Sequence, residues 1–240
     1  MKLRTLVTAT AVTVTLALTP AVAIAQTRDR SQAQDARMDR VKSRCLAAID
    51  RRQQAIVELN NRLDNRSNLS DDHRAALKDI DDHTSSGLAS LANQIQSEDN
   101  AQELRAECRQ IVDDYRVFVL VRPRARLVVA SDRELAAVAK LRDAADRIQT
   151  KIDEATHDGK DTSKAEADLA KMRSAIDTAA QHASVVYDEV IHVTPATFSA
   201  GALSAGRDDT HAARDAIRDA AKAGHAAVQD LRSARSASAT

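Results

Sequence analysis

Apolar residues recur along this chain at alternating intervals of three and four. From Ala33 to Asp64 they fall at Met38, Val41, Cys45, Ile49, Ile56, Leu59 and Leu63, and Arg52 takes the one slot where an apolar residue is missing. That spacing is the heptad signature of a helix packed in a left-handed bundle. Arg52 would lay its methylene stem along the core edge and keep its guanidinium in water. Asn65 to Leu69 read as a turn. Ser70, followed by Asp71 and Asp72, reads as a helix start, because a hydroxyl cap and early acids satisfy and complement the free amides. The second helix carries Leu77, Ile80, Thr84, Leu88, Leu91 and Ile95, with Ser85-Ser86-Gly87 weakening its middle by about 1 kcal/mol at the glycine. A third helix begins near Asn100 and shows Leu104, Cys108, Ile111, Tyr115 and Phe118.

The helical pattern resumes beyond Pro123 with Leu127, Leu135, Val138, Leu141, Ala145, Ile148 and Ile152, and stops around His157-Asp158-Gly159. Thr162 or Ser163 would cap the next helix, whose stripe is Leu169, Met172, Ile176, Ala179, Ala183, Val186, Val190 and Val193, with Pro195 ending it. A loop of small residues from Ala196 to Arg207 leads to Asp208 or Asp209 as cap of a last helix, with Ala213, Ile217, Ala220, Gly224, Val228 and Leu231 as its core face.

Tyr115 to Ala130, YRVFVLVRPRARLVVA, is the densest apolar run after the N-terminal segment. Its valines on either side of Pro123 would suit a strand pair, but Tyr115 and Phe118 continue the preceding heptad, and an isolated hairpin is marginal in water. The run therefore reads as a helical joint built on Tyr115, Phe118 and Pro123, kinked or briefly broken where proline removes a backbone bond and disfavours helical geometry at Arg122. The fold expected is all-α: elongated antiparallel helical bundles, two three-helix coiled-coil-like bundles sharing a long helix kinked near Pro123. Residues 26–122 would form the first and 123–240 the second. Their arrangement resembles spectrin repeats in architecture only, and one bundle folded back at the Pro195 loop is the alternative.

Five glycines and three prolines in 240 residues leave little turn chemistry, which supports the helical reading. Residues 1–25 read as an export leader: Lys2 and Arg4, an apolar stretch from Leu6 to Leu18, and the small-residue site Ala23-Ile24-Ala25. The apolar stretch is short for a membrane span, which needs about 20 residues. Lys2 and Arg4 account for two of 35 basic residues, so the chain after Ala25 carries 33 against 35 acidic ones. Near neutrality and the absence of tryptophan argue against nucleic acid as a partner, since a phosphate backbone selects a basic surface and single strands select aromatic platforms.

Only Cys45 and Cys108 are present, and an exported pair usually closes. Counting residues from the two turns of an up-down-up bundle puts both at one height on core stripes. The bond would close a loop worth about 4 kcal/mol in the chain-entropy model.

No phosphate-cradling glycine loop, G-x-S-x-G, H-E-x-x-H or C-x-x-C occurs. Asp71-Asp72-His73 and Asp81-Asp82-His83 repeat after ten residues, but that interval turns them to different faces, so they cannot share one metal. No catalytic, cofactor or metal residue is assigned, and no cofactor is expected.

The chain resembles a group of uncharacterised exported coiled-coil proteins of high-GC Gram-positive bacteria. The resemblance is carried by RCLAAIDRR at Arg44 to Arg52, by ECRQIVDDYRVFVLVRPRARLVVASDREL at Glu107 to Leu135, and by TPATF at Thr194 to Phe198. It implies fold and compartment and transfers no site residues. The function expected is a non-enzymatic role in the cell envelope or medium, as a scaffold, spacer or weak chaperone-like binder acting through helix surfaces on an unknown protein or envelope component. The alternative is a membrane-active protein that inserts residues 117–129, with Arg116, Arg122, Arg124 and Arg126 meeting anionic headgroups.

Overall fold

The structure, a computed structural model, describes residues 21–236, with side chains from residue 32. The expected leader falls almost wholly within residues 1–20, outside the described residues. Six α-helices follow in order: α1 Ala21–Asp64, α2 Asp71–Ser97, α3 Ala101–Asp113, α4 Arg122–His157, α5 Ser163–Ile191 and α6 Ser204–Ser236. No strand occurs among the described residues. One unit ends at Ser43 and contains the start of α1, where Arg40 Nε donates to the Ala36 carbonyl one turn back at 2.9 Å. A second compact unit begins at Arg44 and holds the remaining elements.

The local signals place most boundaries where the chain chemistry demands. Ser70 caps α2, its Oγ accepting from the His73 amide at 3.2 Å, and Asn100 caps α3 by accepting from Gln102 at 2.8 Å. Gly159 takes a positive φ of 71° past the end of α4, and the Gly159 and Lys160 amides close back on Thr156 and Ala155 at 3.0 Å each. At α5 the expected hydroxyl cap is replaced. Thr162 Oγ1 donates to Glu166 at 2.7 Å instead, and the Asp161 carboxylate receives the Ser163 amide at 3.1 Å.

Side-chain pairings give the helix directions. Asp64 at the end of α1 meets Lys78 near the start of α2, so these two are antiparallel, whereas Cys45 meets Cys108 of α3 and Arg52 lies over Phe118 beyond its end, so the chain from α3 onward advances in the same direction as α1. Cys45 and Cys108 are joined, with Cα atoms 5.6 Å apart, and they tie α1 to α3. In the second half Arg142 meets Asp177 while Arg173 meets Asp146, an antiparallel pair, and Arg214 of α6 meets Glu134 of α4, a parallel one. The cores differ in kind. Ile49, Ile56, Leu63, Leu88, Leu91, Ile95, Leu104 and Ile111 are buried in α1–α3, whereas α5 and α6 meet through Ala179, Ala183, Ala213, Ala216, Ala220 and Ala227. A further cluster joins Leu59, Leu63 and Leu77 to Leu120, Val121, Ala125, Val128 and Val190.

Two expectations change here. The joint breaks several residues ahead of Pro123 and not at the proline. The α3 helix stops at Asp113, Arg116 adopts a left-handed backbone (φ 40°), and Val117–Val121 wind as a π-helix that leads directly into α4. Pro123 then sits in the first turn of α4, directly after the π-helix, where its fixed φ suits the helix and it contributes no N–H. A non-glycine residue in that backbone region is uncommon. Arg116 is held by tertiary contacts: its Nε donates to the Pro195 carbonyl at 3.1 Å and its guanidinium lies over Phe198. The last helix also starts earlier, at Ser204, so Asp208 and Asp209 lie inside α6 and not at its cap. Its buried face runs through Ala213, Ala216, Ala220, Gly224, Ala227 and Leu231, with Ile217 and Val228 displaced to the flank. A close crossing selects the smallest side chains, and an added Cβ at Gly224 would lie 2.7 Å from Met172 Sδ.

Candidate functional site

The α1–α2 turn is locked onto the rest of its unit by charge-assisted bonds. Arg74 of α2 donates to the carbonyls of Leu63, Arg66 and Leu69, the last two at 2.8 and 3.1 Å, so one guanidinium covers the free carbonyls where α1 ends. Asp132 of α4 is 6% exposed and receives both the Ser70 amide at 2.7 Å and His73 Nδ1 at 2.8 Å. The His73 ring stacks on Tyr187 of α5 with centroids 3.9 Å apart. Deeper in, Ser131 Oγ donates to the Ala183 carbonyl at 2.8 Å, and Arg124 donates to the Val193 carbonyl. These bonds hold Arg66, in the turn, beside α4.

A cavity of about 640 Å³ opens there between the turn, α4 and α6. Its charged lining is Arg66, Arg126, Arg133, Arg214 and Arg218 with a single carboxylate, Glu134. Val129, Ala130, Ala137 and Ile217 make its apolar wall. A smaller cavity of about 120 Å³, lined by Asn65, Ser67 and Asn68, continues it past Arg66 and Arg133. Arg214 Nε donates to Glu134 Oε1 at 2.7 Å, and Arg218 pairs with Asp215 one turn along α6. Among the described residues Arg66, Arg126 and Arg133 make no ion pair. Glu134 itself is 4% exposed. Burial pushes its carboxyl up, while Arg214, Arg133 and His211 pull it back down. Positive charge thus exceeds negative charge in a concave site of ordinary ligand-pocket volume. Such a site can hold a compact multivalent anion, since guanidinium forks match phosphate, sulfate and carboxylate oxygens.

A further polar cavity, of about 480 Å³, is lined by Asp79, His83, Asp114, Tyr115, Arg124 and Pro195 among others. Its one cation is committed. Arg124 is 4% exposed and lies near Asp81, which is 2% exposed. Burial, with Asp82 beside it, drives the Asp81 carboxyl up to about 7 against the pull of Arg124.

The residues singled out from the sequence are dispersed. Cys45 and Cys108 meet, as described. Tyr115 fits against Gly87, where an added Cβ would come within 2.6 Å of its ring, so the Ser85-Ser86-Gly87 stretch makes room for an aromatic side chain. Phe118 is 45% exposed and carries the guanidiniums of Arg52 and Arg122 at 5.2 and 6.0 Å from its centroid. Arg52 also donates to the Ala48 carbonyl at 2.9 Å, so its guanidinium is only part-buried, without an ion pair among the described residues. Of the two Asp-Asp-His triplets, His73 goes to Asp132 and Asp81 to the vicinity of Arg124. Among the described residues no group of three potential metal ligands is assembled.

The groove was not singled out beforehand. Its arginines lie in three separate parts of the chain: Arg66 reads as a turn residue, Arg126 as part of the joint, and Arg133, Arg214 and Arg218 as solvated helix exterior. The available signal was the RPRAR run followed by Arg133 and Glu134, which places Arg126, Arg133 and a carboxylate within about two turns of one helix. Comparison of the chain with protein families, with curated protein sequences and with solved structures gives no match.

Proposed function

We propose that this is a non-enzymatic exported protein that binds a compact multivalent anion in the groove between the α1–α2 turn, α4 and α6. The observation that carries the reading is the excess of guanidinium in that cavity: five arginines against one buried carboxylate. The leader-like residues 1–25 and the closed Cys45–Cys108 pair support export. A binding role, in preference to turnover, is supported by the engagement of two part-buried histidines, His73 with Asp132 and His182 with Asp209, and by the pairing of both cysteines with each other. The lining has no aromatic ring on which a base could stack, so a small anion or the acidic group of an envelope component fits better than a single strand.

The direct experiment is calorimetric titration of the full exported chain with sodium sulfate at low ionic strength, beside the triple variant Arg66→Gln, Arg126→Gln, Arg133→Gln. At least tenfold weaker binding is expected in the variant, a conservative figure because one charge-assisted bond contributes about 1.5–3 kcal/mol. Equal affinity of the two proteins would sink the groove assignment.

The alternative reading, insertion of residues 117–129 into lipid, draws on the exposure of Phe118 and Val119. Insertion would also have to expose Val117, Leu120, Val121, Ala125 and Val128, all buried, together with the Arg124 guanidinium. No described helix is long and apolar enough to cross a membrane. Anionic vesicles loaded with a quenched dye should therefore retain it when the protein is added, and leakage that depends on Phe118 would favour insertion.

A further inference from the structure

Glu134 lies at the base of the arginine groove, and its environment differs from that of the other carboxylates on α4. Its side chain is one-twentieth exposed. Oε1 holds Arg214, and Oε2 is buried with no hydrogen-bond partner among the described residues. The charged groups that face it are Arg214, Arg218 and His211 from α6, Arg133 and Arg126 from α4, and Arg66 from the α1–α2 turn. Among the described residues Arg214 alone makes an ion pair with it, and the Arg214 side chain is 49% exposed and lines the cavity.

Resting on the reading of the groove as an anion site, we propose that occupation of this groove by an anion is coupled to uptake of one proton by Glu134. An arriving anion recruits the same guanidiniums that now compensate Glu134, Arg214 first among them. A carboxylate this deeply buried is not stable as an ion once its partner is shared or withdrawn, because an unpaired buried charge costs more than protonation at mildly acidic pH. The step balances simply. Glu134 –COO⁻ takes a solvent proton to become –COOH, Arg214 exchanges one acceptor oxygen for another on the ligand, and no covalent bond to the ligand forms. The direction in which burial already moves the Glu134 carboxyl, with Arg214 opposing, is the one the coupling needs.

The sign follows from linkage. The carboxyl titrates higher in the bound state than in the free state, so affinity rises as pH falls through the window between the two values, and it is flat above the higher one. One proton bounds the slope at about tenfold per pH unit.

Sodium sulfate is the probe, because it keeps its double charge from pH 5 to 8 and any pH dependence then belongs to the protein. The full chain, disulfide closed, is titrated calorimetrically across that range in pairs of buffers with different ionisation enthalpies, which counts protons taken up per sulfate bound. Binding should tighten several-fold toward pH 5 with proton uptake approaching one. Glu134→Gln should bind sulfate more tightly at pH 8 and lose the slope, and His211→Gln should keep it. The proton count on the unsubstituted chain together with the His211→Gln comparison decides the matter even if Glu134→Gln fails to fold. Sulfate binding with no proton uptake overturns the coupling and leaves the groove intact. Uptake that disappears in His211→Gln assigns the proton to the histidine and likewise overturns it. No sulfate binding at any pH removes both the coupling and the groove reading.

Discussion

Helices α1–α3 and helices α5–α6 are both helical packings, yet they are held together by opposite means. In α1–α3 the buried positions are large and aliphatic, from Ile49 to Ile111, and a covalent bond between Cys45 and Cys108 supplements them. Between α5 and α6 the buried face of α6 is mainly alanine and glycine, set against the larger Leu169, Met172, Ile176, Val186 and Val190 of α5, and the helices approach until Gly206 lies against Val190 and Gly224 against Met172. Burial of large side chains drives the first region at about 25 cal/mol per Å² of apolar surface. The second gains less area per residue and depends on close fit, since small side chains allow dense backbone contact. The second should therefore be indifferent to reductant, while tolerance of an added methyl should follow the stiffness of the neighbour it meets in either region.

The largest test is reduction of Cys45–Cys108, or Cys45→Ser with Cys108→Ser. The loop spans 63 residues of sequence, so stability should fall by up to about 4 kcal/mol in the chain-entropy model. Hydrogen exchange should rise in α1–α3 and stay nearly constant in α5 and α6. A uniform rise across all helices would mean that the two regions share one unfolding unit.

Alanine at the three helical glycines probes fit directly. Helix propensity alone predicts a gain of about 1 kcal/mol at each. At Gly206 the new methyl would lie 2.6 Å from Val190 Cγ1, and at Gly87 it would meet the Tyr115 ring at 2.6 Å. Neither neighbour bends easily, so Gly206→Ala and Gly87→Ala should cost about 1–3 kcal/mol net in urea unfolding. Gly224→Ala should cost less, because the atom it meets belongs to Met172, a flexible side chain. Equal costs at all three would show that local yielding does not govern the close packing.

The last effect appears only as a dependence on pH and concerns the buried Asp81 beside Arg124. Its folded-state carboxyl titrates at about 7, above the ordinary value of 3.8, so the folded state holds the proton more tightly than the unfolded chain. This group's contribution is then greatest below about pH 4 and declines as pH rises toward 7, at no more than about 1.4 kcal/mol per pH unit. Asp81→Asn should flatten that decline in urea unfolding measured at pH 4, 5.5 and 8. An unchanged slope would place the titration elsewhere.

Much of the fold was legible in the residues. The Ser70 and Asn100 caps, the glycine at the end of α4 and the stripe from Leu169 to Val190 all stand where local rules put them. The height of the two cysteines was legible too, because residue counting along helices is nearly exact at 1.5 Å per residue. Less readable was the site. Asp132, Glu134 and Arg124 are charged residues at positions that a heptad pattern assigns by type to the exterior, and all three are buried. The rotation of α6 that buries Ala216 and Ala227 in place of Ile217 and Val228 was equally hidden. Hydrophobicity alone favours the larger side chains there, and only the closeness of the neighbouring helix reverses the choice.

Periodicity, capping chemistry and the count of cysteines are local properties, and they determined by themselves that this chain is all-helical, where most of its helices begin and end, and which thiols meet. Tertiary structure decided the rest. It placed the left-handed turn at Arg116, which no glycine announces and which a carbonyl from Pro195 holds in place. It gathered Arg66, Arg133 and Arg214 from three distant parts of the chain around one cavity. The physical reason is the same in both cases: a charge or a strained backbone is stabilised by partners far away in sequence, and no repeat length records where those partners will stand.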